Sequence, residues 1–269
     1  MSEETVKVEV VDAIMTVTLD RPERLNALDH SVLAGLAKAW DDARAPEVRA
    51  VVITGAGKGF CAGFDMRRER PRPGDASGQR ARINPHVLGL ASLVKPVLAA
   101  VNGVAAGAGL ALASAADIRI ASSAARFIPA FSRIGVIPDG GGTYFIPRLI
   151  GWSRAFDWLA TSEEISATRA LEWGLVNEVV APGELMDRTM AKARQLAEMP
   201  GNAVGLTKAL LHHSWSSTLS EQLEREAEAQ PLALLAPGRA EARAALVARL
   251  DQPPTESEQQ DEDGSAREG

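Results

Sequence analysis

Cysteine is almost missing from this sequence. Cys61 is the only one in 269 residues, so no disulfide can form within the chain. Histidine is scarce too, and His30, His86, His212 and His213 fall at no zinc-type spacing, so no metal is expected. No apolar run reaches the roughly 18–20 residues that a membrane helix needs, and no membrane partner is expected. The acidic start Met1-Ser2-Glu3-Glu4 has neither the basic start nor the apolar core of a secretion signal, which points to a cytoplasmic protein. Positive charge is in short supply as well. Seven acidic residues and one arginine between Asp251 and Gly269 account for the whole net charge of -6, leaving residues 1–250 formally neutral. Such a body offers no broad basic face for nucleic acid.

Three common catalytic signatures are also lacking. There is no Gly-x-Ser-x-Gly nucleophile elbow and no Gly-x-x-x-x-Gly-Lys phosphate loop. Gly107-Ala-Gly109 lacks the third glycine of a dinucleotide fingerprint, because Leu112 stands there.

What is present is an ordinary globular composition, with 46% hydrophobic and 24% charged residues. Val6–Val11 and Ile14–Leu19 read as two strands joined by a tight turn at Asp12-Ala13. Asp29 is placed to cap a helix running to about Ala43. Arg49–Thr54, Pro96–Val101 and Asp117–Ala121 are short apolar runs suited to buried strands. Helices are predicted over Pro85–Val94 and from near Gly107. This alternation argues for an α/β core up to about residue 150. Beyond it the chain reads as helical, with a Thr218-Leu-Ser-Glu221 capping box and a last helix over Arg239–Leu250. Arg67 to about Arg82 reads as a surface loop, and the acidic tail 251–269 as disordered. Trp152, Trp158, Trp173 and Trp215 are expected to pack at helix contacts.

Three glycine-rich stretches each follow a predicted buried strand or loop: Gly59-Phe-Cys-Ala-Gly-Phe-Asp65, Asn102-Gly-Val-Ala-Ala-Gly-Ala-Gly109 and Ile137-Pro-Asp-Gly-Gly-Gly-Thr143. Glycine admits positive φ and lets the backbone approach a ligand closely. Backbone N–H groups presented in this way can hold an oxyanion. The composition is equally compatible with glycines that merely make tight turns and close helix packing.

In their order and spacing these stretches resemble the enoyl-CoA hydratase/isomerase (crotonase) family. So do Asp20-Arg-Pro-Glu-Arg-Leu-Asn-Ala-Leu28, Lys95-Pro-Val-Leu-Ala-Ala-Val-Asn-Gly103 and Ala170-Leu-Glu-Trp-Gly-Leu-Val176, so that the likeness runs from about Val6 to Leu250. The resemblance implies a spiral of ββα repeats over residues 1–200. It also implies a C-terminal helical trimerisation or lid region over residues 201–250, and assembly as a homotrimer or dimer of trimers. The implied substrate is an acyl-CoA thioester, with coenzyme A entering as part of the substrate and no separate cofactor. The amides of Phe64 and Ala108 would bind the thioester oxygen, flanked by Gly63, Gly107 and Gly109. Ala27, Ala62, Asp65 and Met66 would line the CoA nucleotide pocket, and Arg24 with the arginines at 67, 68, 70 and 72 could meet CoA phosphates.

This sequence departs from the family's hydratases at two positions. Ala111 and Phe131 stand where those enzymes carry glutamates, and neither side chain can move a proton. The acid left in the region is Asp139, where several family branches carry a catalytic aspartate. A helix-capping role for Asp139 is compatible with catalysis. The likeness is strongest to the branch that rearranges 1,2-epoxyphenylacetyl-CoA, carried by Asn84-Pro85, Phe127, Ala130-Phe-Ser132, Gly135-Val-Ile-Pro-Asp139 and Pro147-Arg-Leu149. The implied chemistry is isomerisation with Asp139 as acid and base, in an apolar cleft lined by Phe131, Ile137 and Ala111. A weak hydratase or thioester hydrolase, and a non-catalytic acyl-CoA binder, are the alternatives. In the family's dehalogenases the same aspartate is a nucleophile helped by a histidine, for which His86 is the local candidate.

Overall fold

A computed structural model of the chain describes residues 4–67 and 83–250. The arginine-rich stretch with Arg68, Arg70 and Arg72 and the acidic tail lie outside the described residues.

β1 (Val6–Val11) and β2 (Ile14–Leu19) form an antiparallel hairpin. Its two turn residues, Asp12 and Ala13, both take positive φ, 51° and 62°. Two left-handed residues in succession match the right-handed twist of the strands they join. α1 (His30–Asp42) follows, and the Asp29 carboxylate accepts from the amides of Ser31 and Val32 as its N-cap.

The pattern of two strands and a helix then repeats. β3 (Ala50–Gly55) and β4 (Gly59–Cys61) precede α2 (Asn84–Ala91). β5 (Val97–Val101) and β6 (Val104–Ala106) precede α3 (Ala108–Ser114). β7 (Ile118–Ser122) and β8 (Arg126–Ile128) precede α4 (Gly142–Ile150). β1 and β2 share one sheet, and in the next three repeats the first strand joins that sheet and the second joins another, which makes the ββα spiral that the resemblance implied. With β9 (Ile165–Ser166) and β10 (Glu178–Val180), the sheet orders are β1-β2-β3-β5-β7-β10 and β4-β6-β8-β9. β3, β5 and β7 pair in parallel, and every residue of β3 and β5 is buried, as expected for strands covered on both faces.

The remaining chain is helical. α5 (Trp152–Thr161) and α6 (Ala167–Trp173) continue from α4. α7 (Leu185–Ala197) lays Leu185 and Ala193 on a second core with Ile14, Val52, Leu98 and Ile120. α8 (Ala203–Ser214) is tied to the core where Gly205 touches Val94 and where Lys208 Nζ lies 2.8 Å from Asp117. α9 (Leu219–Leu234) opens with the expected capping box at Thr218 and Glu221, and α10 (Arg239–Leu250) follows. Neither α9 nor α10 buries a single residue, and both show leucines to solvent, including Leu219, Leu223, Leu246 and Leu250. Among the described residues no helix is long and apolar enough to cross a membrane.

Three expectations need correction. The helix predicted to reach Val94 stops at Ala91. Trp158 is buried and packs edge-on against Trp173, but Trp152 is 76% exposed and lines an open groove. Asp139 does not cap α4: the N-cap is Gly141, with no side-chain hydrogen bond, because two left-handed glycines, Gly140 and Gly141, carry the chain into the helix.

Candidate active site

One wall of the site is the strand end after β4. Cys61 is fully buried there, and burial pushes its thiol up to about 12, so it acts as a small core residue with no thiolate to offer. Gly63 has φ +87°. A Cβ on it would stand 2.8 Å from the Ala106 carbonyl oxygen and 3.3 Å from the Ala108 nitrogen. Leu28 N–H donates to the Gly63 carbonyl at 2.7 Å, and Asp65 N–H donates to the Leu28 carbonyl at 2.9 Å. Leu28 and Phe64 thereby form a parallel bridge. In an extended chain alternate amides face opposite ways, so the Phe64 N–H is turned away from Leu28.

The second wall is the start of α3. Gly107, at φ 50° and ψ -122°, turns the chain from β6 into the helix, and its own N–H donates to the Ile128 carbonyl at 3.0 Å. Ala108 is the first helical residue, and the first amides of a helix have no partner within it. A Cβ at Gly109 would lie 2.2 Å from the Cys61 carbonyl oxygen, a distance no side chain tolerates. The two glycine-rich stretches are therefore in direct backbone contact.

The third element is the turn that carries Asp139. Asp139 is half-buried, with Oδ1 shielded from solvent, and its carbonyl accepts from Gly142 N–H at 2.9 Å. A Cβ at the next residue, Gly140, would stand 3.1 Å from both Ala111 Cβ and Ile83 Cγ1. The turn rests on α3 three residues beyond Ala108, about 4.5 Å along the helix axis. Phe131 is buried, and Ala111 is buried within α3. Ile137 does not line a closed cleft: it is 82% exposed and sits on an open apolar groove with Pro138, Trp152 and Phe156. Six residues between Phe131 and Asp139, from Ser132 to Ile137, are exposed, because no element described here covers that side.

His86 is buried, and burial holds its imidazole below its ordinary value. It lies one helical turn before Gly89, where a Cβ would stand 2.8 Å from Trp40 Cδ1. Ile83, three residues before His86, and Val87 meet the Asp139 turn.

At the rim, Arg24, Met66 and Arg67 are exposed, Ala62 is half-buried, and Ala27 is buried. The Asp65 side chain is turned inward, to a residue that sequence reasoning passed over. Arg21, 7% exposed, donates from Nη1 to the Ala27 carbonyl at 2.7 Å and from Nη2 to Asp65 Oδ2 at 3.2 Å. Its Nη1 also lies 3.2 Å from Asp29 Oδ2. Burial alone would raise both carboxyls. For Asp65, hydrogen bonds from Arg21 and the Arg67 amide, with the nearby Arg21 and Arg24 charges, hold it below its ordinary value instead. For Asp29, the Ser31 hydroxyl, the Val32 and Ser31 amides and the Arg21 charge do the same. Carboxylates lowered in the folded chain stabilise it above their unfolded value of 3.8, and that stability is lost as pH falls through the lower folded values. Urea unfolding below about pH 4 should therefore show a falling midpoint, and Asp65→Asn should flatten part of that fall. The motif Asp20 to Leu28 contained the signal for Arg21, but its partners Asp29 and Asp65 are set by the fold.

Comparison with known proteins identifies the family. The model of the family described as enoyl-CoA hydratase/isomerase matches residues 9–233. The 1,2-epoxyphenylacetyl-CoA isomerase of Escherichia coli (strain K12) is 42% identical over 230 residues, 83% of this chain and 88% of that protein. The 4-chlorobenzoyl coenzyme A dehalogenase-1 of Arthrobacter sp is 34% identical over 84% of each chain. The crystal structure of an enoyl-CoA hydratase from Polaromonas sp. JS666 is 34% identical and superposes with a TM-score of 0.84, covering 91% of this chain and 97% of the other.

Proposed function

This chain belongs to the enoyl-CoA hydratase/isomerase family, and on that premise we propose that it is a cytoplasmic acyl-CoA isomerase with Asp139 as its acid and base. The observation that carries the reading is the packing of the Asp139 turn on Ala111, one turn along α3 from Ala108. A carboxylate at that turn stands beside any thioester whose oxygen is held at the start of α3.

In the proposed reaction the thioester oxygen accepts hydrogen bonds from the Phe64 and Ala108 amides. Charge that builds on this oxygen is thereby stabilised, and the α C–H becomes acidic. The Asp139 carboxylate takes the α proton, the electron pair delocalises into the thioester enolate, and Asp139 returns the proton to the γ carbon. The double bond moves and nothing is gained or lost. Coenzyme A arrives as part of the substrate, and the reaction draws on no other cofactor. A ring-epoxide thioester, such as the one named for the Escherichia coli relative, would use the same oxyanion stabilisation to open its three-membered ring. Water addition by the family's two glutamates has no counterpart here, because Ala111 and Phe131 carry no proton.

The test is a paired absorbance assay of the purified protein on 3-hexenoyl-CoA and crotonyl-CoA. Growth of the conjugated 2-enoyl thioester, with crotonyl-CoA left intact, supports isomerisation. Rapid loss of crotonyl-CoA absorbance would make the protein a hydratase.

We also propose that the protein works as a trimer or dimer of trimers. Support comes from α9 and α10, which bury none of their residues within one chain. Isolated helices of 12 and 16 residues are marginal in water without packing. Light scattering at micromolar concentration should give a mass of three or six chains, and removal of residues 239–250 should lower it. A stable monomer would contradict the assembly.

A further inference from the structure

The buried side chain of Arg21 lies directly behind the residue that carries the first oxyanion amide. Arg21 holds both strands of the Leu28–Phe64 bridge: the carbonyl of Ala27 on one side and the carboxylate of Asp65 on the other, residues adjacent to Leu28 and Phe64. Asp29, on the far side of Leu28, adds a second carboxylate 3.2 Å from the same guanidinium nitrogen. The backbone of Arg21 is fixed in turn, since its N–H donates to Asn26 Oδ1 at 2.9 Å. Asn26 is fully buried and donates from Nδ2 to the carbonyls of Ala56 and Gly59, at 2.9 and 2.7 Å. The result is a continuous polar clamp from the loop after β3, through the Arg21–Asp29 segment, to Asp65.

We infer that Arg21 is a positioning residue, which sets the direction of the Phe64 N–H by clamping Asp65 to the Ala27–Asp29 segment. This rests on the reading of Phe64 as an oxyanion donor. The chemistry requires arginine in particular. A planar guanidinium offers donors at fixed angles to a carbonyl and two carboxylates at once, which a lysine ammonium on a flexible stem cannot reproduce. Rotation of the Phe64 peptide moves the donor off the oxygen where charge builds, an effect felt in the transition state more than in binding of the rest of the thioester. Loss of the clamp should therefore lower kcat far more than it raises KM.

The test uses the full-length protein in its native assembly and cinnamoyl-CoA, an unreactive conjugated thioester. Its absorption moves to longer wavelength when the carbonyl oxygen accepts strong hydrogen bonds. Wild type and Asp139→Asn should both shift it. Arg21→Lys should bind the thioester with a clearly smaller shift, and should lose about 10- to 100-fold in kcat on the isomerisation substrate at little-changed KM. Asp65→Asn, which keeps the shape and removes the charge that Arg21 grips, should reduce both readouts in the same direction. It serves alone if Arg21→Lys does not fold. A full shift and normal kcat in either folded variant would overturn the positioning role while leaving the oxyanion reading intact. Thioester binding with no shift in wild type would overturn the oxyanion reading itself, and the inference with it.

Discussion

Asp139→Asn should lower kcat for double-bond migration by about 10²- to 10⁴-fold, the usual contribution of a positioned acid and base. Binding of the thioester should be nearly unchanged, because the proposed contacts to the carbonyl oxygen are backbone amides of Phe64 and Ala108. The asparagine side chain has the same shape and keeps one acceptor oxygen, so the turn through Gly140 and Gly141 has no reason to move. That turn is held by the Gly142 N–H to Asp139 carbonyl bond and by contacts of Gly140 with Ala111 and Ile83. Steady-state kinetics beside equilibrium titration with a CoA thioester separates the two effects. A variant with near-normal turnover would remove Asp139 from the reaction.

Gly109→Ala should damage both the fold and the chemistry. The new Cβ would lie 2.2 Å from the Cys61 carbonyl oxygen and 2.7 Å from Cys61 Cβ. Both are buried, and a backbone carbonyl cannot swing aside as a side-chain end can. Overpacking of this kind costs about 3 kcal/mol, which for a chain of this size lowers Tm by roughly 6–12 °C. The separation of β4 from α3 would also widen the gap between the Phe64 and Ala108 amides, so folded variant should lose kcat as well. Gly183→Ala is the matching control: nothing lies within 4 Å of its Cβ and its φ is ordinary, so its melting temperature should match wild type. Thermal unfolding of the two variants side by side checks the prediction.

Much of the fold could be read directly. The β1–β2 hairpin, the Asp29-capped α1, the Thr218 capping box and α10 all follow from periodicity and local cap chemistry, which need no knowledge of distant residues. The second sheet was not legible. β4, β6 and β8 have three residues each and β9 has two, too few to express a period. They exist because three parallel layers stack Gly59, Val104 and Arg126 side by side across the spiral. The exposure of Trp152 was likewise hidden, because an apolar residue on a helix reads as buried until the opposing surface is known.

The candidate site divides in the same way. The glycine-rich stretches could be picked out by composition, but their mutual contact depends on backbone distances between residues 48 apart, Cys61 and Gly109. Asp139 stood out once Ala111 and Phe131 were seen to be mute. Arg21 did not, because an arginine after a strand reads as surface charge, and its carboxylate partner Asp65 lies 44 residues away.

The most direct measurement of the central claim follows the proton itself. A 3-enoyl-CoA carrying deuterium on its α carbon is turned over by wild-type protein in ordinary water, and the product is analysed by mass and NMR. The expected product is the 2-enoyl-CoA with part of the label now on the γ carbon, carried there by one carboxylate. A 3-hydroxyacyl-CoA product, or a 2-enoyl-CoA formed equally well by Asp139→Asn, would contradict it.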